Sequence, residues 1–154
     1  MYFLTNRIAK EDDLFIYYGW VNDKEVRENA ISNNKISLST HKKWYLESIH
    51  NPNKTMLIFS INSIPIGQVR LENIEGFWLI DYSVDIKYRK KGYGQKMLKD
   101  VIKMYNEFNF HAIVEKNNFK SVHIFEKLQF KERCEFITRN KVYKLYEKDG
   151  DEKY

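Results

Sequence analysis

The spacing of hydrophobic positions changes along the chain, and these changes predict a mixed α/β fold. Residues 14–21 and 97–105 repeat apolar side chains at helical spacing, with polar residues between them in the second segment. Residues 56–61 and 64–71 are short, nearly continuous apolar runs, which is typical of buried strands. The predicted strands are residues 2–8, 56–61, 64–71, 77–86, 111–114, 130–138 and 142–146.

Polar and glycine-containing segments separate these runs and bound the predicted helices. Asn51-Pro52-Asn53 predicts a turn that ends a helix, and Ser39 or Thr40 is predicted to cap that helix at its start. Further turns are predicted at 62–63, 73–76 and 139–140. The predicted helices cover residues 14–21, 24–29, about 40–50, 95–105 and 118–128.

Composition limits the kind of protein that this pattern can form. The chain has 154 residues, of which 43% are hydrophobic and 16% aromatic, so it can bury a core and is expected to form one domain. The net charge of +5 is modest, and no basic block interleaved with aromatic residues indicates nucleic-acid binding. One cysteine, Cys134, allows no internal disulfide, and the four histidines lack metal-ligand spacing, so no metal is expected.

A glycine-bearing turn follows the fourth predicted strand and opens a helix. The turn reads Arg89-Lys-Lys-Gly-Tyr-Gly94, an order that predicts an anion cradle built from backbone N–H groups at a helix N-terminus. A dinucleotide fingerprint would need a glycine where Met97 stands, and a phosphate-binding Walker loop would need Gly-Lys where Gly94-Gln95 stands. Neither alternative fits. Without other evidence, the turn is also compatible with the ordinary start of a helix.

The pattern Arg-x-x-Gly-x-Gly resembles the acetyl-coenzyme A loop of the GCN5-related N-acetyltransferases (GNAT). A second motif, residues 118–130, reads NFKSVHIFEKLQF and is similar to the family's penultimate helix. The predicted order of elements also matches that family along essentially the whole chain. The resemblance implies an α/β (α+β) single-domain GNAT fold. Its mixed, mostly antiparallel sheet would have about seven strands flanked by four to five helices.

The resemblance also implies acetyl-CoA as cosubstrate and assigns residues to it. The backbone of residues 90–94 would hold the pyrophosphate, and Asn118 and Ser121 would lie beside the pantetheine arm. Main-chain N–H groups at 82–84 would stabilise the oxyanion that develops on the thioester carbonyl. The implied cofactor-binding residues are Ser83, Val84, Arg89, Lys90, Lys91, Gly92, Tyr93, Gly94, Asn118, Ser121 and Phe125.

Two positions depart from the family pattern for moving protons. Phe125 stands where many relatives carry a tyrosine that protonates the leaving thiolate, and Ile113 stands where many carry a glutamate base. Tyr82 can replace the missing acid. Asp81 and Glu115 are the main substitutes for the missing base. Asp85 and Glu72 are also open as bases, and no single carboxylate is selected.

The N-terminal third resembles enzymes that acetylate nucleotide-linked amino sugars in pseudaminic-acid-type glycan pathways. That resemblance makes Arg27, His41 and Trp44 candidate substrate-binding residues. An amine on a sugar ring is less basic than a lysine amine of pKa about 10.4, so it depends less on a strong base. The alternatives are a protein N-terminal amine, another small amine, or a non-catalytic acyl-CoA-binding module.

Residues 1–147 are thus expected to form the acetyltransferase domain and residues 148–154 a charged, frayed tail. The first residues contain no apolar leader, and no apolar run is long enough to span a membrane, so a cytoplasmic location is expected. The expected partner is a small molecule, without nucleic acid or membrane, and a homodimer is left open.

Overall fold

One twisted sheet organises the chain, and five helices cover its two faces. The computed structural model describes residues 3–152, and these counts refer to that part of the chain. The strands are β1 (Leu4–Ile8), β2 (Lys54–Ile61), β3 (Ile64–Ile74), β4 (Phe77–Val84), β5 (Asn109–Glu115), β6 (Lys131–Thr138) and β7 (Lys141–Lys148). The helices are α1 (Leu14–Val21), α2 (Lys24–Asn29), α3 (Leu38–Ile49), α4 (Tyr93–Met104) and α5 (Phe119–Lys127).

The strand order is β1-β2-β3-β4-β5-β7-β6, and all neighbours are antiparallel except β4 and β5. Short turns join the hairpins, with positive φ at Asn62, Ser63, Arg139 and Asn140. The crossover from β4 to β5 runs through α4, which is why these two strands lie parallel. The mixed, mostly antiparallel seven-stranded sheet predicted from the sequence is confirmed.

Side chains on the two faces of β2 pack into two separate cores. Leu57 and Phe59 point into the larger core, which α4 and α5 cover with residues such as Met97 and Phe125. Met56 and Ile58 alternate with them and point into a smaller core beneath α1 and α3. None of the helices in residues 3–152 is long and apolar enough to cross a membrane.

Several predicted boundaries shift. Ser37, not Ser39 or Thr40, caps α3, because its hydroxyl accepts the Thr40 N–H at 3.2 Å. Strand β4 ends at Val84 rather than at residue 86. There, the Asp85 carboxylate accepts the N–H of Lys87 and starts a short 3₁₀ turn.

Both ends of the chain continue past the described residues. The predicted first strand began at Tyr2, which lies outside them. In the predicted tail, the N–H of Gly150 donates to Asn109 Oδ1 at 2.9 Å and that of Asp151 to the Asn106 carbonyl at 2.7 Å. Lys153 and Tyr154, the last residues of that tail, also lie outside the described part.

Candidate active site

A gap opens between β4 and β5 near the middle of the sheet. The two strands pair only from Phe77 to Leu79, opposite Asn109 to His111, and beyond these residues they diverge. The ends of both strands line a cavity of about 380 Å³ together with α2, α5 and Tyr143. A parallel pair that separates in this way leaves backbone hydrogen-bonding groups of β4 free to meet a ligand.

The direction of those backbone groups follows from two hydrogen bonds. The Asp85 N–H donates to the Ile66 carbonyl on β3 at 2.7 Å, while the Val84 carbonyl faces away from β3 and accepts Arg89 Nε at 2.9 Å. Because backbone groups alternate sides along a strand, the N–H groups of Val84 and Tyr82 face the gap.

No bulge interrupts β4 where it pairs with β3. Its register with β3 is continuous from Val84 to Phe77, so the gap arises from separation from β5 alone.

The glycine turn lies at the mouth of this gap. Gly92 precedes the first residue of α4 with φ +82°, and Lys90 also has a positive φ of +62°. Left-handed residues close to a helix start turn successive N–H groups toward one point, which suits an anion. Gly94 serves a different purpose, because a Cβ there would lie 2.9 Å from the Tyr82 ring. Tyr93 is half-buried between them, with its ring against Tyr88.

The basic residues of the turn differ in what they contact. The Arg89 side chain is only 14% exposed and donates to Asp23 Oδ2 and Glu25 Oε2, each at 2.8 Å, rather than lying over the turn. Lys90 and Lys91 are exposed, and Lys91 Nζ lies 5.9 Å from the Tyr88 ring centroid. Of the three, only the lysines have side chains free to reach an anion bound at the turn.

Helix α5 brings its motif residues to the same gap. The Asn118 side chain caps the helix by accepting the Ser121 N–H at 3.4 Å. Ser121 Oγ lies 2.6 Å from the hydroxyl of Tyr82 on β4. Phe125, one turn further along, is 3% exposed and packs against the Tyr82 ring edge-on, at 6.0 Å between centroids. Tyr82 therefore bridges β4, Gly94 and α5.

The protonation of Tyr82 follows from this placement. Burial raises the pKa of its phenol to about 12, and the hydrogen bond with Ser121 opposes the rise only partly. The group thus carries its proton at neutral pH and has a hydroxyl partner through which to exchange it. Phe125, where the family pattern has a tyrosine, offers only an apolar ring beside it.

The carboxylates predicted as bases separate into two groups. Asp81 and Glu115 both line the cavity; Asp81 is exposed, with Oδ2 3.7 Å from Arg70 Nη2, and Glu115 is buried at the end of β5. Asp85 is instead engaged structurally, because it accepts Trp20 Nε1 at 3.0 Å in addition to the Lys87 N–H. Ile113 lines the cavity without any group that can accept a proton.

A second cavity of about 290 Å³ adjoins the first on the side of α2 and α3. Its lining includes Arg27, His41, Trp44 and Arg70 and no carboxylate, and the two arginines also line the first cavity. Arg27 Nη1 donates to the Ser32 carbonyl at 3.1 Å, but its buried Nε has no hydrogen-bond partner among residues 3–152. An unpaired buried donor is costly, which makes a bound acceptor at this point favourable.

The three predicted substrate-binding residues converge on this second cavity in different ways. Trp44 is half-buried, and the Arg70 guanidinium lies 5.2 Å from its ring centroid. His41 is 1% exposed and donates from Nε2 to the Leu14 carbonyl at 3.1 Å if that nitrogen carries the proton. Burial lowers the pKa of His41, so the ring is neutral and forms part of the cavity floor.

Sequence reasoning missed Arg70, Gln68 and Tyr143 as cavity residues. Gln68 and Arg70 alternate with apolar residues of β3, so two polar positions on one face of a buried strand were the available signal. Tyr143 lies on β7, far along the sequence from the two motifs, and nothing in the sequence around it indicates that it lines the cavity. Among residues 3–152, no three His, Cys, Asp or Glu side chains lie close enough together to hold a metal ion.

The geometry fits an acyl-CoA donor. The glycine turn has left-handed residues at a helix N-terminus, which suits an anion such as a pyrophosphate, and the N–H groups of Tyr82 and Val84 face the gap in the sheet. A separated β4–β5 pair beside such a turn is the arrangement that the sequence resemblance implies for an acyl-CoA-dependent transferase.

Comparison with known families agrees with this class. Residues 4–131 match the family model described as the acetyltransferase (GNAT) domain, and the chain therefore belongs to the GNAT family. It is an acetyl-CoA-dependent N-acetyltransferase, which confirms the enzyme class and the cosubstrate predicted from the sequence. No curated protein matches the chain significantly.

Solved structures share the fold at low sequence identity. Spermidine N-acetyltransferase from Vibrio cholerae, in complex with CoA and spermine, has a TM-score of 0.83 and 19% identity, with 94% of each chain covered. AAC(6')-Ib in complex with ribostamycin and coenzyme A has a TM-score of 0.81 and 19% identity, covering 95% of this chain and 93% of that one. RimL, a ribosomal L7/L12 alpha-N-protein acetyltransferase, has a TM-score of 0.83 and 15% identity, covering 96% and 94%.

Proposed function

We propose that the enzyme acetylates the primary amine of a nucleotide-linked amino sugar. The observation that carries this proposal is the second cavity, whose lining among the described residues holds two arginines and a tryptophan and no carboxylate. Asp81, which pairs with Arg70 at 3.7 Å, belongs to the lining of the first cavity. A guanidinium pairs well with phosphate, and an indole ring offers a face to a base or a sugar. The buried Nε of Arg27 has no partner in the described part of the chain, as expected of a group that meets an anionic acceptor.

The charge of the cavity distinguishes this acceptor from polycations. Spermine and ribostamycin, bound in two of the similar structures, carry several positive charges. Arg27 and Arg70 would repel such molecules from the second cavity. An amine joined to a phosphate-bearing group would instead place its anion between the arginines and its amine toward Asp81 in the first cavity.

The reaction uses residues on both sides of the gap. Acetyl-CoA supplies the electrophilic thioester carbonyl. The N–H groups of Tyr82 and Val84 would stabilise negative charge on its oxygen. The Tyr82 phenol would donate its proton to the departing sulfur and regain one through Ser121, while Asp81 or Glu115 would take the proton that the amine loses.

The remaining predicted residues would bind acetyl-CoA, and we call this set of groups the donor seat. The backbone of Lys90 to Gly94 would hold the pyrophosphate, with Ser83 and Asn118 along the gap and Phe125 as its apolar floor. The domain boundary at residue 147, the cytoplasmic location and the homodimer stay predictions.

A panel of acceptors tests this function. The enzyme is assayed for thiol release with acetyl-CoA and a UDP-linked amino sugar, spermidine, kanamycin or a peptide with a free N-terminus. The nucleotide sugar should give a kcat/KM at least about 100-fold above the others, because only it satisfies both arginines. Preference for spermidine, kanamycin or the peptide would overturn the proposal and identify one of the alternative amines.

A further inference from the structure

Helix α2 contributes Arg27 to both cavities, yet hydrophobic packing does not hold it in place. The helix has six residues, Lys24–Asn29, and none of them is buried. A helix this short is unstable alone in water and depends on contacts with the rest of the protein. The position of Arg27 therefore depends on the polar contacts made at the two ends of α2.

The C-terminal end of α2 is held by the β6–β7 hairpin. Lys141 Nζ donates to the Glu28 carbonyl, and the Tyr143 hydroxyl donates to the Ala30 carbonyl at 3.3 Å. Both contacts come from the start of β7, more than 100 residues along the chain. They fix one end of the helix and leave the other to a different partner.

That partner is Arg89, the first residue of the glycine turn. Its guanidinium donates to Asp23 at the N-cap of α2 and to Glu25 in the first turn, and its Nε donates to the Val84 carbonyl at the end of β4. Asp23 also accepts the N–H groups of Glu25 and Val26, so the same carboxylate caps the helix. Asp23 and Arg89 are 16% and 14% exposed, so this pair is shielded from solvent.

We propose that Arg89 is a positioning residue for the acceptor site rather than a ligand of acetyl-CoA. Three of its donors join the strand and turn that form the donor seat to the helix that carries Arg27. The residue so connects the two substrate sites, and its loss releases α2 while the backbone cradle of residues 90–94 stays formed. This inference rests on the enzyme class and does not require the acceptor to be a nucleotide sugar.

Arg89→Gln and Lys90→Gln, two variants of adjacent residues, separate the two roles. Amide hydrogen exchange of residues 23–30 reports on α2, and calorimetric titration with CoA reports on the donor seat. In Arg89→Gln, exchange in α2 should accelerate at least about tenfold while the Kd for CoA changes less than about twofold. In Lys90→Gln, the Kd for CoA should rise about threefold or more with exchange in α2 unchanged.

Glu25→Gln is a milder variant that keeps the proposal testable if Arg89→Gln folds poorly. It removes one of the two charged partners, and exchange in α2 should accelerate by a smaller factor with CoA binding intact. A Kd for CoA raised tenfold or more in Arg89→Gln, or unchanged exchange in α2 in both variants, would overturn the proposal. UDP titration provides a separate arm: if UDP fails to bind the unmodified enzyme, the nucleotide-sugar function fails while the exchange and CoA measurements still decide the role of Arg89.

Discussion

The donor and acceptor sides of this enzyme are held together by different forces. On the donor side, α4 and α5 bury apolar faces, with Met97, Leu98 and Ile124 in the larger core. On the acceptor side, α2 buries no residue and is fixed by ion pairs and hydrogen bonds to distant parts of the chain. Packing thus fixes the donor seat, while polar contacts fix α2, the helix that carries Arg27 into the acceptor site.

The largest expected effect is on the donor side. Tyr82→Phe removes the phenolic proton but keeps the ring that packs against Gly94 and Phe125. We expect kcat to fall about 10²- to 10⁴-fold with little change in the Kd for acetyl-CoA, because the proposed role of the lost group is to protonate the departing sulfur. Steady-state kinetics and calorimetric titration measure the two quantities.

The matched control for Tyr82 is Tyr105→Phe. Tyr105 follows α4, stacks on Phe108 and lines neither cavity, so removal of its hydroxyl should leave kcat unchanged. Ser121→Ala should lower kcat less than Tyr82→Phe, since solvent can still exchange the phenolic proton. A Tyr82→Phe enzyme with the kcat of the unmodified protein would show that the thiolate leaves without this acid.

The glycine turn provides the next test, and a second glycine controls for backbone strain. Gly92→Val forces a β-branched residue into φ +82°, which costs about 1–3 kcal/mol and moves the N–H groups that form the cradle. We expect acetyl-CoA affinity to fall about 100-fold. Gly76→Val imposes the same kind of strain at φ +92° in the β3–β4 hairpin, so it should lower stability without affecting affinity.

Equal acetyl-CoA affinity in Gly92→Val and the unmodified enzyme would mean that the turn does not form the pyrophosphate seat. The comparison depends on both variants being folded, which thermal unfolding without ligand establishes. A gain in melting temperature on adding acetyl-CoA should then be present in Gly76→Val and absent in Gly92→Val.

On the acceptor side, Arg70→Met should weaken binding of the acceptor substrate without changing the binding of acetyl-CoA. Arg70 lines both cavities and stacks over Trp44, so its loss removes a charge-assisted contact and leaves the donor seat intact. We expect the KM for a UDP-linked amino sugar to rise about tenfold, with acetyl-CoA affinity unchanged. Arg133→Met, on the exposed β6 strand, is the control and should change neither value. An unchanged KM in Arg70→Met would argue against an anion between the arginines.

The same difference explains which features the sequence could predict. The donor side is encoded in two local motifs, residues 89–94 and 118–130, and their helical spacing placed α4 and α5 within a few residues of their observed bounds. The side chain of Arg89 was expected at the pyrophosphate because its partners, Asp23 and Glu25, lie 66 and 64 residues away. A pattern read along the chain carries no information about such partners.

Arg70 is a site residue that the sequence pattern did not identify. It occupies a position in β3 that the hydrophobic pattern assigns to a buried strand, and only the fold brings it beside Arg27 and Trp44. The existence and bounds of α2 were predicted correctly at residues 24–29, but its tethers and its role in the cavity were not. Local propensity thus located the elements, whereas long-range polar pairing determined how the acceptor site is arranged.

The smallest expected effect is a dependence of stability on pH through His41. Burial lowers the pKa of this ring below its ordinary value of 6.5, although the Leu14 carbonyl opposes the shift. The unfolded chain therefore takes up a proton near pH 6.5 that folded His41 does not, so the free energy of unfolding should fall as the pH drops from 7 through 6. The decline should stop below the pKa of the folded state, where both states are protonated.

Urea unfolding at several pH values measures this slope, and NMR titration of the histidine rings assigns it. His41 should titrate below the ordinary imidazole pKa of 6.5. If the pKa of His41 instead lies at or above 6.5, the ring is charged in the folded protein below that pH. The acceptor cavity would then gain a third cation, and the difference between a packed donor side and a polar acceptor side would extend to His41.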